Sequence, residues 1–210
     1  MADEHAGERP APVSVASPRQ PDALGQPGGS WYGWWRGDPL PALPFLDGLA
    51  VERVDDADTI AAIARLSADE AASRLTTGNR AYVARIHGAA VAHGWSATRA
   101  VEIGEISLSF TLSPGDHYLW AFATASDWRG RGVYPRLLQA ILRAEMDEAA
   151  RFWIGHEPGN AASGRGILKA GFTHTGDLFL LPGGSLALAP ADPPERAREG
   201  ADVLGAALRM

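Results

Sequence analysis

The sequence predicts an α/β domain, and three observations carry that expectation. Strand-like alternation of apolar and polar residues recurs through the middle of the chain, as in Leu49-Ala50-Val51-Glu52-Arg53-Val54. Helical spacing of apolar residues interrupts it, most clearly at Leu137, Leu138, Ile141 and Leu142. Between these types of pattern lies a unit of aromatic strand, glycine-containing loop and amphipathic helix, running from Tyr118 through Gly130 and Gly132 onward. A chain of 210 residues suits one domain with tails, and its apolar fraction of 46% is ordinary for a globular protein.

Residues 1–30 contain five prolines and few large apolar groups, which predicts a flexible arm. The domain proper is expected over 31–190, beginning at Trp31-Tyr32-Gly33-Trp34-Trp35. Tryptophans so closely spaced are costly to leave in water, so packing on the domain is the favoured reading. A wall of an acceptor pocket or a dimer contact is the functional alternative, and a homodimer stays open. After the strand at 49–54, Asp55 or Asp56 is placed to cap a helix marked by Ile60, Ile63 and Leu66. A second short helix is expected over 68–75. Arg80 to Ile86 and Ala89 to Trp95 read as a hairpin turning at His87-Gly88.

Glu105 to Leu112 is expected as another strand, followed by the turn Ser113-Pro114-Gly115-Asp116 and an aromatic strand from His117 to Ala125. Pro135 falls in the first turn of the next helix, where a missing N–H costs nothing. Arg151 to Ile154 reads as a short strand. Asn160 is a candidate cap for the helix after it, and Gly171 a candidate stop. Phe172 to Leu181 and Ser185 to Leu188 supply closing strands. Pro190, Pro193 and Pro194 then set off a C-terminal helical tail over 191–210, with its helix near 195–209.

Charge and composition narrow the function classes. The formal net charge of -6 argues against nucleic-acid binding, which needs positive charge to displace counterions. Cysteine is absent, which removes disulfides and thiolate metal sites, and the six histidines are scattered without metal-ligand spacing, so no metal is expected. No apolar run approaches the roughly 20 residues that span a bilayer, and the acidic, polar start has no signal-peptide core. A cytoplasmic protein without a membrane partner is the expectation.

The strand–loop–helix unit is where chemistry is sought. The first N–H groups of a helix lack partners, and with the helix dipole they favour anions. Gly130 and Gly132 let the backbone approach a ligand, and Arg129, Arg131 and Arg136 add charge nearby. An ordinary glycine turn between strand and helix is an equal reading of the loop taken alone. A P-loop fits less well, because it needs a lysine followed by Ser or Thr where Gly132 is followed by Val133 and Tyr134. A dinucleotide fingerprint also fits less well, because Pro135 stands where its third glycine is needed.

Two blocks here resemble the GNAT (Gcn5-related N-acetyltransferase) superfamily. The family's Gln/Arg-x-x-Gly-x-Gly/Ala segment is matched by Arg129-Gly130-Arg131-Gly132-Val133-Tyr134, with Tyr134 departing at the last place. Its Asn-x-x-Ser, helix, Lys-x-Gly-Phe segment is matched by Asn160-Ala161-Ala162-Ser163 and Lys169-Ala170-Gly171-Phe172. The resemblance is clear over 117–175 and looser from Leu49 to Leu188. It implies a mixed, splayed central sheet flanked by helices on both faces, with acyl-CoA wedged between the strands at 117–125 and 151–156. The backbone of Phe122, Ala123 and Thr124 would pair with the pantetheine arm. Arg129, Gly130, Arg131, Gly132, Val133, Tyr134 and Pro135 would hold the pyrophosphate, and Asn160 and Ser163 would reach the cofactor from the far side.

The activity implied is direct transfer of an acetyl group from acetyl-CoA to a small-molecule or peptide amine, without a metal. A backbone N–H near Thr124 would stabilise the oxyanion. Many family members carry a tyrosine acid four residues before the glycine of Gly-Phe. Here that position is Ile167, which leaves Tyr134 and Ser163 as substitutes. Glu102, Glu105, His117 and His156 are the base candidates, with His117 opening the central strand. A longer acyl donor is one alternative, and a non-catalytic CoA-binding or interaction domain is the other.

Overall fold

The computed structural model describes residues 25–103 and 108–209. Its elements, in chain order, are β1 (Gln26–Trp35), β2 (Leu49–Val54), α1 (Ala57–Ala64), α2 (Ala68–Thr76), β3 (Asn79–Ile86), β4 (Ala89–Ala97), β5 (Ala100–Ile103), β6 (Leu108–Thr111), β7 (Asp116–Thr124), α3 (Val133–Glu145), β8 (Arg151–His156), α4 (Ala161–Ala170), β9 (Thr173–Leu180), β10 (Leu186–Pro190), α5 (Pro194–Leu204) and β11 (Ala207–Leu208). The main sheet runs β11-β10-β9-β1-β8-β7-β4-β3-β2, while β5 and β6 form a separate hairpin. Within the main sheet β7–β8 and β10–β11 are parallel and the other pairings antiparallel, so the sheet is mixed.

Local chemistry sets the helix boundaries. The Asp56 carboxylate accepts from the Thr59 N–H at 2.8 Å and Ser67 Oγ from the Glu70 N–H at 3.1 Å, each satisfying a donor that α1 or α2 leaves orphaned. Asn160 Oδ1 accepts from the Ser163 N–H at 3.1 Å, and α4 stops at Gly171. α3 has no side-chain cap at its start.

Adjacent residues of a strand face opposite ways, and the sheet is covered on both sides. On one face α3 and α4 pack over Tyr32, Trp34, Leu119, Phe152 and Ile154. On the other, α1 and α2 cover Val83 and Trp95, and α5 with the β5–β6 hairpin covers Trp31, Tyr118 and Trp153. The segment between β1 and β2 straps the α3 side: Gln139 donates to the Pro41 carbonyl at 2.9 Å, and Arg136 donates to the Pro44 carbonyl.

Several boundaries differ from the sequence expectation. The expected arm, 1–30, falls partly on residues 1–24, which lie outside the described residues. Its remainder is sheet: Gln26 pairs with Leu180, Pro27 with Phe179 and Ser30 with both His156 and Asp177. The tryptophan run belongs to β1, an interior strand inserted between β8 and β9, with Trp31 and Trp34 1% and 0% exposed. β5 was not anticipated, and the strand expected from Glu105 is described only from Leu108, since 104–107 lie outside the described residues. The expected C-terminal tail is integral: Ala197, Ala201 and Leu204 of α5 are buried, and β11 pairs with β10. Its helix ends at Leu204 because Gly205 turns left-handed.

Candidate active site

β7 and β8 are neighbours for only part of their length. Asp116 to Leu119 pairs with Arg151 to Ile154, and beyond that register the strands separate. The separation coincides with a bulge in β7. His93 of β4 pairs with Ala123 and Trp95 with Trp120, so Ala121 and Phe122 together oppose Gly94. Ala121 takes a φ of 51°, a left-handed conformation that costs a non-glycine residue about 1 kcal/mol or more. The Phe122 ring lies so close over Gly94 that a Cβ there would collide with it. The bulge therefore turns β7 away from β8 and leaves the β8-facing backbone edge of Phe122, Ala123 and Thr124 without a strand partner.

Two cavities enter this opening. The first, about 550 Å³, lies on the α3/α4 face and is lined by Phe122, Ala123 and Thr124, the loop through Arg129, Gly130 and Gly132, and the facing residues of α4. Gly132 has φ 76° at the N-cap of α3, and with no capping side chain the N–H groups of the first turn remain available. Val133 and Tyr134 supply such N–H groups, while Pro135 has none to leave unpaired. Gly130 has open space where a Cβ would stand. The cations around this cradle divide by role. Arg129, Arg165 and Lys169 line the cavity, with Arg129 Nε also donating to the Thr124 carbonyl at 3.0 Å. Arg131 lies over Trp128, 5.1 Å from the ring centroid, and Arg136 is taken up by the Gly132 and Pro44 carbonyls. The unpaired donors, the open glycine edge and the cationic rim fit a pyrophosphate-bearing ligand.

The second cavity, about 560 Å³, opens between α2 and the β5–β6 hairpin, with Arg74, Glu102, Trp31 and Trp120 on its walls. Phe122, Tyr134, Asn160 and Ser163 line both cavities. At that junction the Tyr134 hydroxyl lies 3.3 Å from Ser163 Oγ. Burial pushes the Tyr134 phenol up to about 12, against the opposing pull of the Ser163 hydrogen bond, so it stays protonated. Ile167, where the resemblance puts a tyrosine, is wholly buried in the core between α4 and the sheet.

The candidate bases separate. His117 does not join the cluster; it is 5% exposed, and its Nδ1 lies 2.5 Å from Glu145 in the interior under α3. Glu105 lies outside the described residues. Glu102 and His156 both line the second cavity. His156 Nδ1 is 2.8 Å from the Glu157 carbonyl, which only accepts, so Nδ1 carries a proton. In the neutral ring Nε2 is then the acceptor, and the Tyr32 hydroxyl, 3.1 Å away, donates to it. Tyr32, Arg74 and Arg165 were not singled out from the sequence: Tyr32 and Arg74 come from elements remote from the two motif blocks, and Arg165 stands in the helix of the second block at a position the motif leaves open.

The fold has known counterparts. One solved structure, a GCN5-related N-acetyltransferase from Kribbella flavida, superposes with a TM-score of 0.51 at 16% identity, over 71% of this chain and 55% of that one. An acetyltransferase of the GNAT family from Colwellia psychrerythraea superposes with a TM-score of 0.51 at 14% identity, over 73% of this chain and 55% of that one. The chain thus spans about half the length of each. No protein-family model and no curated protein matches the sequence.

Proposed function

We propose that this chain, which has the GNAT fold, is an acyl-CoA-dependent N-acyltransferase that moves an acetyl group from acetyl-CoA to a primary amine by direct transfer. What carries the reading is the meeting of two cavities from opposite faces of the sheet at Phe122, Tyr134, Asn160 and Ser163. A donor on the α3/α4 side and an acceptor on the other side would be held together there, which direct transfer requires.

Acetyl-CoA supplies an activated thioester, from which attack by a neutral amine forms the amide and releases the thiol. The residues that would hold it are the backbone of 130–134 for the pyrophosphate, the unpaired edge of Phe122 to Thr124 for the pantetheine, and Arg165 and Lys169 for the remaining negative charge. The amine loses one proton and the departing sulfur gains one. His156, on the acceptor side, presents an imidazole to take up a proton. Tyr134, kept protonated by burial, donates a hydrogen bond to negative charge developing at the junction, and Ser163 fixes the direction of its hydroxyl.

The test is thiol release from acetyl-CoA across a panel of amines, with Tyr134→Phe beside the parent. The variant keeps the ring and loses the hydroxyl, so kcat should fall roughly 10- to 100-fold, while acetyl-CoA affinity stays within about threefold. Unchanged kcat in Tyr134→Phe would remove the role given to this hydroxyl. Acetyl-CoA binding without amine-dependent thiol release would favour a binding domain instead.

A further inference from the structure

The acceptor-side cavity has a distinct wall and a distinct charge. Trp31 and Tyr118 stack with centroids 5.4 Å apart at 18°, and Trp153 continues the stack behind Trp31 at 6.3 Å. Trp120 and Ile103 add further apolar surface. Three charged side chains line the same space. Arg74 is already committed: Nη2 pairs with Glu70 Oε1 at 2.6 Å, and its guanidinium lies over Trp120 and Trp95 at 4.6 and 5.3 Å. With its charge balanced and its plane stacked, it is part of the wall rather than a hook for a carboxylate. Glu102 and Glu157 are different, since neither carboxylate has an ion-pair partner among the described residues. The uncompensated charge of the cavity is negative, and its partly exposed apolar lining includes Trp120, Phe122 and Ile103.

Resting on the acyltransferase reading above, we propose that the acceptor is a small cationic amine on an apolar or aromatic body, its ammonium drawn in by Glu102 and Glu157 and its body lying on the partly exposed Trp120 and Ile103. A free amino acid would bring its own carboxylate against these two glutamates. A peptide would lay backbone N–H and C=O groups against the apolar part of this lining, and a polar group desolvated without a partner is costly. An uncharged body of the same shape would use the wall and forgo the charge.

Calorimetric titration of the protein saturated with CoA separates these, using 2-phenylethylamine, 2-phenylethanol, phenylalanine and tetra-alanine as probes. The amine should bind at least about tenfold more tightly than each of the others. Glu102→Gln and Glu157→Gln should each weaken it about three- to tenfold, leaving 2-phenylethanol and CoA affinities unchanged. Phenylalanine or the peptide binding as tightly as the amine would overturn the proposal, as would an amine affinity unmoved in both variants. Thiol release measured on the same samples keeps the two readings apart. An amine that binds in the expected pattern but is never acetylated supports the ligand class and overturns transfer. Preferred acetylation of phenylalanine or the peptide keeps transfer and overturns the ligand class.

Discussion

Glu145 shows how one side chain fastens α3 to the sheet. It stands in the last turn of α3 with its side chain 1% exposed, and donors from three strands converge on it. Tyr82 donates to Oε1 at 2.7 Å, Ser96 to Oε2 at 2.7 Å and His117 Nδ1 to Oε2 at 2.5 Å, with Arg80 3.5 Å away. Burial alone would raise this carboxyl; the hydrogen bonds from His117, Ser96 and Tyr82 outweigh it and hold the group below the usual carboxylate range. A depressed folded-state pKa gives stability that is present above the unfolded value, about 4.3, and lost as pH falls through the folded one. The melting temperature should therefore drop as pH falls below about 4, and Glu145→Gln should flatten that drop. At neutral pH the amide would point a donor at donors, at a cost of about 3 kcal/mol or more. An equal acid dependence in parent and Glu145→Gln would assign it to other carboxylates. The same network explains why His117 misleads as a base candidate: a histidine opening a strand gives no sign, in sequence, of a buried glutamate 28 residues later.

At the scale of elements, what was legible followed period and punctuation. The hairpin of β3 and β4, the caps at Asp56 and Asn160 and the stop at Gly171 each depend on residues within a few positions of one another. β1 was not legible. Pro27, Gly28 and Gly29 read as part of a flexible arm, and the strand exists because β8 and β9, more than 110 residues away, flank it on both sides. Close packing explains Gly33, where a Cβ would stand 2.6 Å from the Trp35 ring and 2.9 Å from Trp153. A chain beginning at Ser30 loses the pairings of Gln26, Pro27 and Gly29 with β9. It should melt roughly 5 °C below a chain beginning at Gly25, the shift expected for one to two kcal/mol in a domain of this size. Equal melting temperatures would show that these pairings contribute nothing. α5 was placed near its true position but misjudged as a tail, because apart from Leu204 its buried face is made of small residues, Ala197, Gly200 and Ala201, with little hydrophobic signature.

For the whole molecule, the strand–loop–helix unit was legible and the second cavity was not, for one physical reason. The cradle is contiguous chain, a strand end, two glycines and a helix start. The pocket is assembled from α2, β1, the β5–β6 hairpin, β7 and β8, which only the completed sheet brings together. The proposed transfer requires acetyl-CoA to enter the β7–β8 opening with its pyrophosphate on the uncapped start of α3. Calorimetric titration with acetyl-CoA of the parent and of Gly132→Glu tests this most directly. The substitution sets a carboxylate at the cradle, forces a side chain into φ 76° and drives its Cβ against Arg136, so Gly130→Glu, at a similar φ of 73° but with open space for its Cβ, is measured beside it, each variant first checked for a cooperative melt. The cradle predicts at least about 30-fold weaker binding in a folded variant, roughly 2 kcal/mol, and loss of the melting-temperature rise that excess acetyl-CoA gives the parent. Parent-like affinity in both folded variants would put the pyrophosphate elsewhere and contradict the acyltransferase reading at its base.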